Sequence, residues 1–425
     1  MQILLKNATY INWETLEFTN TNILVNEGVG GSIQLVSNLE NVDNSKISET
    51  IDCSGKLVTK SFAVGHHHAY SALAKGMPAP KKNPVNFYEI LQYVWWTLDK
   101  CLDKETVELS ALVTAMACAK AGSTFVIDHH ASPNYIKGSL ELMAKAFDKV
   151  GVNHLLCYEI TDRDGLDKAQ QGLQETEDYL KNRQGLVGLH ASFTVGDETL
   201  KSAVDLMKKY NSGAHVHLAE DLYDQEHCVS TYGKRVTQRY SDAGILDFSK
   251  TILVHCLHLE DAERNLIEKS SCWLAQNAES NMNNNVGYFN GNGLGNNIMM
   301  GTDGMHSDML QSAKAAFFVG QRFDNIDYPS SYQRFRNVHR YLSQNKFTGD
   351  GENNLVVLDY STATEINQNN FLGHFIFGLK SEHVQHVISN GKLIVKDRKI
   401  TTVNEEEIHQ LSQKHGKRLW ELMSK

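Results

Sequence analysis

Through the middle of the chain, short apolar or β-branched runs alternate with longer stretches of helical periodicity. Eight strand-like runs stand out. They are KLVTKSFAVGHHH (ending at His68), STFVIDHH (His130), VNHLLCYEI (Ile160) and GLVGLHAS (Ser192), then GAHVHLAE (Glu220), KTILVHCLH (His258), CWLAQNAESN (Asn281) and NIMMGTDG (Gly304). Between them lie amphipathic segments such as SLELMAKAFDKVG and ETLKSAVDLMKKYN. Strands alternating with helices of this length predict βαβ units and a parallel sheet. Eight such units match the ~250 residues of a (β/α)8 TIM-like barrel.

The two ends of the chain have a different texture. Residues 1–57 and 353–402 hold short alternating runs separated by turns, among them ILLKNATYIN, NTNILVNEG, NNLVVLDY and VQHVISNGKLIVKD. Neither piece alone could bury both faces of a sheet, so together they predict one small β-sandwich beside the barrel. The expected division is therefore a sandwich from 1–57 plus 353–402, a barrel over 58–352 and a C-terminal helix over 403–425. In that helix Leu411, Leu419, Trp420 and Met423 are the expected core contacts.

The 425 residues carry a formal net charge of −9, with 41% apolar and 21% charged positions. A mildly acidic chain without long Lys/Arg runs speaks against nucleic acid or an anionic membrane as partner. No apolar stretch approaches the ~18–20 residues that span a bilayer. The first residues, MQILLKNATYINWE, lack the features of a signal peptide. Seven scattered cysteines without a CxxC fit reduced thiols, and a cytoplasmic location is expected.

Polar groups end every predicted strand, and in a parallel barrel those ends share one mouth. Strand one ends in His66 and His68, two in His129 and His130, three in Glu159, four in His190. Strand five ends in His217 and Glu220, six in His255 and His258, seven in Asn277, Ser280 and Asn281, eight in Asp303. Any one of these has a bland reading as a hydrogen-bonded structural residue. Eight of eight does not. Positions i and i+2 of a strand share a face, so the imidazoles of His66 and His68 can meet one cation, while His67 faces the helices. His215 and His217 share a face too, and His217, nearer the carboxyl end, is favoured. His255 is favoured over His258. Asp303, between glycines at a strand end, needs a partner that a metal or proton shuttle supplies.

The order HxH, HxxE, a later His and Asp in GTDG resembles the amidohydrolase superfamily, in its cytosine deaminase/chlorohydrolase branch. VGHHHAYSALAKGM, VWWTLDKCLD, VIDHHASP, HLAED, ESNMNNNVG and GHFIFGL look like SsnA-type aminohydrolases. The resemblance implies His66, His68, His217 and Asp303 as metal ligands, Glu220 as the proton-transfer carboxylate and His255 as the group that orients the attacked substrate. It implies a substrate-contacting His190, with His129, His130 and Trp96 also expected at the substrate. No strand end offers the Lys of binuclear members, which favours one divalent metal, zinc by default for N/O ligation, with iron or manganese also suited. Two departures stand out: Lys60-Ser61 where the family has Pro-Gly, and QNAESN for HNPxSN, altering Gln276 and Ala278.

The implied chemistry is hydrolysis of a C–N bond in a small nitrogen heterocycle, purine- or pterin-like, by metal-activated water, in a protein expected to be a homodimer. Opening of a cyclic amide or loss of another leaving group is the alternative within the superfamily. A catalytically silent metal-binding member is a third.

Overall fold

A computed structural model describes residues 1–40 and 42–425. Five strands come first: β1 (Gln2–Ile11), β2 (Phe18–Asn26), β3 (Ile33–Val36), β4 (Ile47–Asp52) and β5 (Leu57–Lys60). Eight follow in the central region: β6 (Phe62–His67), β7 (Ser123–His130), β8 (Asn153–Tyr158), β9 (Val187–Leu189), β10 (Ala214–Leu218), β11 (Ile252–His255), β12 (Trp273–Gln276) and β13 (Ile298–Met300). Four close the chain: β14 (Leu355–Leu358), β15 (Val384–Ser389), β16 (Lys392–Lys396) and β17 (Lys399–Ile400).

Each of the eight expected strands forms where the apolar runs placed it. They lie in two parallel sheets, β6-β7-β8 and β9 through β13 in sequence order. Isolated parallel bridges span the gaps between those sheets: Leu156 with Gly185 and Ile160 with Leu189 on one side, His67 with Asp303 on the other. The run KLVTKSFAVGHHH holds two strands rather than one, because β5 pairs with β1 and β14 before the chain turns into β6.

The chain ends do come together, through that same β5. They form one continuous nine-stranded sheet, ordered β17-β16-β15-β14-β5-β1-β2-β3 with β4 on β1. The terminal strands thus form a single hydrogen-bonded sheet. The last helix runs Glu405–Met423, burying Ile408 and Leu419, but Leu411 is 41% exposed and is no core contact. It sits on the outer face of the helix.

Side-chain parity decides what faces the inside of the parallel strands. Ala63, Phe125, Ile127, Leu155, Cys157, Leu186, Ile252, Val254, Trp273, Ala275 and Met299 form one apolar cluster, joined by Val338, Tyr341 and Leu342 of the helix Tyr328–Gln344. Alternate positions such as Val126, Leu156, Val216, Leu253 and Leu274 pack outward against the helices. Both faces are covered, which is why these strands read as continuous apolar runs. The inward positions next along each strand are polar, and they build the site above this layer. Among the described residues no helix is long and apolar enough to cross a membrane.

Candidate metal centre

Strict alternation would turn Ala63, Gly65 and His67 inward. Instead β6 carries one extra residue between Val64 and His67 relative to β7, where the pairing jumps from Val126 to Asp128. This bulge resets the phase, so that Ala63, His66 and His68 all face the centre. Gly65 sits at the bulge, where a Cβ would lie 2.7 Å from the carbonyl oxygen of Met300. His67 points outward as expected, with Nε2 2.9 Å from Ser307 Oγ and Nδ1 3.6 Å from Asp128.

The imidazoles of His66, His68 and His217 converge, as do those of His66 and His255 with Asp303; within each trio the ligand atoms lie within 4.8 Å of one another. His68 Nδ1 lies 2.7 Å from the carbonyl oxygen of His129, and His217 Nδ1 2.7 Å from that of His190. Carbonyls accept, so both Nδ1 atoms carry a proton and both Nε2 atoms face the centre. Those two Nε2 atoms face each other at 3.1 Å. A proton on one of them, or a cation between them, allows that approach. His66 Nε2, wholly buried, has no hydrogen-bond partner, and Asp303 Oδ1 lies 3.5 Å from it and 3.2 Å from His68 Nε2. Three imidazoles, two of them braced from behind by backbone carbonyls, and a carboxylate fit a divalent cation.

The electrostatics show how the cluster carries positive charge: burial opposes a charge on His68, but the hydrogen bond and charge of Asp303 lift it to about 9, a proton whose place a cation would take. Burial pulls His66 down to about 3 and His255 to about 4, keeping both rings neutral. Burial opposes ionisation of Asp303, but His66 and His68 beside it hold its carboxyl well below the usual range. Glu220 is the reverse case: burial and the neighbouring Asp303 charge push it well above the ordinary carboxylate value, so it retains a proton. Its Oε2 lies 3.4 Å from His255 Nε2, which is 3.9 Å from Asp303 Oδ2. Asn281 fixes the other ring nitrogen of His255 at 2.8 Å. His255 (φ +71°), Asp303 (φ +52°) and Ala219 (φ +49°) occupy the left-handed region, a concentration of backbone strain typical of working sites.

A cavity opens above this cluster. His190 and Trp96 line it, with His68, His217, Glu220, His255 and Asp303 at its floor. Burial lowers His190 to about 3. Two expectations need correction. His130 falls on the outward parity of β7 and bonds Ser132 Oγ at 2.8 Å. His129 faces inward but one layer too deep, its Nε2 3.2 Å from the Leu189 carbonyl oxygen and 3.1 Å from that of His215. Neither lines the cavity. His258 is turned away to the Val286 carbonyl oxygen, 2.6 Å off. Ser280 and Asn281 stand on the helix Ala278–Asn284, past the end of β12, and Gln276 points outward to Arg334 at 3.1 Å. The stretch carrying Trp95 and Trp96 is helical, a π-turn over Leu91–Trp95 followed by Trp96–Cys101.

Sequence reasoning missed a buried charged cluster beside the cavity. Arg163 places Nη2 2.6 Å from Asp99 and Nη1 2.6 Å from Glu159, whose other oxygen lies 3.3 Å from His129 Nδ1. Burial pushes Asp99 up to about 8, while Arg163 and nearby histidines hold Glu159 well below the usual range against its own burial. The sequence signals were Glu159 at the end of strand three and Arg163 closely following it.

Comparison with known proteins adds a lineage. The model of the Amidohydrolase family matches residues 65–333, more than half of the chain. The chain is similar to a 5-methylthioadenosine/S-adenosylhomocysteine deaminase of Caldanaerobacter subterraneus, 24% identical over 446 residues and 99% of each chain. It is also similar to a 5'-deoxyadenosine deaminase of Methanopyrus kandleri, 27% identical over 337 residues, 74% of this chain and 76% of that one. An adenosine deaminase from Xanthomonas campestris with bound zinc superposes with a TM-score of 0.82 at 17% identity, over 98% of both chains. Atrazine chlorohydrolase TrzN from Arthrobacter aurescens, complexed with zinc, gives 0.80 at 14% identity, over 98% of this chain and 100% of that one. The fold is thus the TIM-barrel type of the superfamily.

Proposed function

Because this chain belongs to the amidohydrolase family, we propose that it hydrolyses a C–N bond of a purine- or pterin-like heterocycle and releases ammonia. The observation that carries this reading is the convergence of His66, His68, His217 and Asp303, with the Nε2 atoms of His68 and His217 3.1 Å apart and Asp303 Oδ1 3.2 Å from the former. We assign His66, His68, His217 and Asp303 to one divalent cation, zinc by preference, with iron or manganese suited to the same donors. Such a cation supplies Lewis acidity, bringing the ionisation of water at the site from ~15.7 towards ~7.

The chain's own residues do the rest. Asp303, ionised, accepts the proton of the attacking water. Glu220, protonated by its burial, delivers a proton to the ring or leaving nitrogen. His255, neutral and braced by Asn281, faces the charge that grows at the attacked carbon. His190 and Trp96 orient the ring, and the aromatic faces around them keep water out. The curated relatives act on adenosine derivatives, which supports a purine-like ring here.

Finer structural readings belong to the same proposal: closure of β6 through β13 into one barrel over 58–352, a two-layer arrangement of the terminal pieces, and a homodimer in a reducing cytoplasm. All seven cysteines are free, in keeping with that compartment. Light scattering tests the dimer.

The functional test is a panel of purines, pterins and pyrimidines assayed for ammonia with the metal-replete protein. Asp303→Asn should cost ~10²–10⁴ in kcat on the best substrate, with circular dichroism unchanged. More than a tenth of wild-type turnover in the folded variant would remove Asp303 from this role.

A further inference from the structure

Three Asn-Gly steps occur in the chain: Asn290-Gly291, Asn292-Gly293 and Asn390-Gly391. Such a step can rearrange without an enzyme. The glycine amide nitrogen loses its proton and attacks the asparagine Cγ. The Cγ–Nδ2 bond then breaks, and Nδ2 takes a proton from water and leaves as ammonia. The cyclic imide so formed adds water and opens to aspartate or isoaspartate. Nothing is oxidised or reduced. The rate depends on a free glycine N–H, room for the peptide to turn, and stabilisation of the negative charge it acquires.

Two of the three steps are locked. Gly391 N–H donates to the Asn353 carbonyl oxygen at 3.2 Å, and Asn390 Nδ2 to Asn153 Oδ1 at 2.8 Å. Backbone crowds that glycine, since a Cβ there would lie 2.2 Å from the Asn26 carbonyl oxygen. Gly291 N–H donates to the Asp324 carboxylate, whose charge also opposes an anion at that nitrogen. Asn290 Oδ1 is held by the Asn292 N–H at 3.0 Å.

Asn292-Gly293 differs on each count. Both residues are exposed, at the tip of a turn closed by Leu294 N–H on the Gly291 carbonyl oxygen at 3.1 Å. Among the described residues Gly293 N–H has no backbone acceptor. Gly293 (φ +70°) has nothing within 4 Å of where a Cβ would stand, so its peptide is free to turn. The same peptide unit also touches a cation. Arg264 Nη1 donates to the Asn292 carbonyl oxygen at 2.7 Å, and to that of Asn290 at 2.9 Å. Loss of the Gly293 proton spreads negative charge onto the Asn292 oxygen, where the guanidinium meets it.

We propose that Asn292 is a self-modification site: assisted by Arg264, it converts to aspartate and isoaspartate while Asn290 and Asn390 persist. The isoaspartyl product adds a carbon to the main chain of the turn that seats the buried Leu294. That turn lies between the helix Ala278–Asn284, whose last residue lines the cavity, and β13, which leads to Asp303. The reaction needs neither metal nor substrate, so it stands apart from the deaminase reading.

The test incubates the full-length protein at mildly alkaline pH and body temperature. Peptide mass spectrometry with electron-transfer fragmentation follows each site and separates aspartate from isoaspartate. Asn292 should convert on the order of tenfold faster than Asn290 or Asn390, because each of those must first open two hydrogen bonds. In guanidinium chloride, where the fold is lost, the three rates should come within about threefold of one another. Arg264→Gln should slow conversion at Asn292 in the folded protein roughly fivefold; a loop merely loosened by the change would react faster instead. Similar rates at the three sites of the folded protein, or an intact Asn292, overturn the site. So does a preference for Asn292 that survives unfolding, since it would then come from local sequence. An unchanged or faster rate in Arg264→Gln overturns the part given to the guanidinium.

Discussion

His66 holds its position through a relay that runs away from the cavity. With Nε2 offered to a cation, its Nδ1–H donates to His215 Nε2 at 2.9 Å. His215 then has its proton on Nδ1, facing Cys157 Sγ at 3.5 Å, and the thiol in turn donates to the Asp128 carbonyl at 3.5 Å. Every donor in this chain points the same way, and all three side chains are buried. His215 is thus a positioning residue for a ligand. Loss of such a partner typically weakens metal binding 10–100-fold. We expect that loss in His215→Ala, read by competition with a chromogenic chelator, while far-ultraviolet circular dichroism stays native. An unchanged zinc affinity would reduce His215 to packing. Period-two reasoning put His215 and His217 on one face but could not rank their depth beyond nearness to the strand end. Depth separates a ligand from its brace, and depth depends on the neighbouring strands, Ile252 and Gly188 opposite His215.

At the scale of elements, the strands were legible because both faces are apolar and each run is bounded by turns. The phase within a strand was not. In AVGHHH nothing but Gly65 hints at the extra residue that turns His66 and His68 inward together, and in VIDHH simple alternation places one histidine too deep and sends the next outside. The β8–β9 seam shows how tightly phase is held. Gly188 faces inward on the three-residue β9, where a Cβ would lie 2.2 Å from the Tyr158 carbonyl oxygen and 2.9 Å from Cys157 Sγ. One contact is backbone and cannot swing aside. Gly188→Ala should therefore destabilise the protein by about 2–3 kcal/mol, seen as a lower urea midpoint at unchanged slope. It should also disturb His190, two residues on, raising KM more than it lowers kcat. A change within about 0.5 kcal/mol, the range of ordinary surface substitutions, would mean the seam opens freely.

Across the whole molecule, the two chain ends meet where the terminal sheet feeds into β6, and the Lys60-Ser61 departure lies at that junction. Lys60 is 1% exposed. Its Nζ reaches the carbonyl oxygens of Asp350 and Gly351, both at 3.1 Å, and the Asp350 carboxylate at 3.2 Å. Asp350 is shared with His339 Nδ1 at 2.9 Å, and the buried Arg336 donates to the Lys60 and Ser61 carbonyls at 3.1 and 2.8 Å. Side chains from the helix Tyr328–Gln344 and from the loop before β14 thus lock the turn from β5 into β6. A turn built on Pro-Gly would need no such ammonium; here a buried lysine does the same work with its full set of partners. Removing one member of a buried pair strands the other charge, which costs about 3–5 kcal/mol. Lys60→Met should fall in that range by denaturant titration, and adding Asp350→Asn should recover part of the loss, because the stranded carboxylate is gone. Additive losses would show that the two groups do not act together. The junction lies at the start of β6 and the histidines at its end, so kcat and KM of Lys60→Met should match wild type wherever the variant is folded. A specific loss of zinc affinity in that variant would instead mean that the turn sets the phase of the bulge and, through it, the aim of His66.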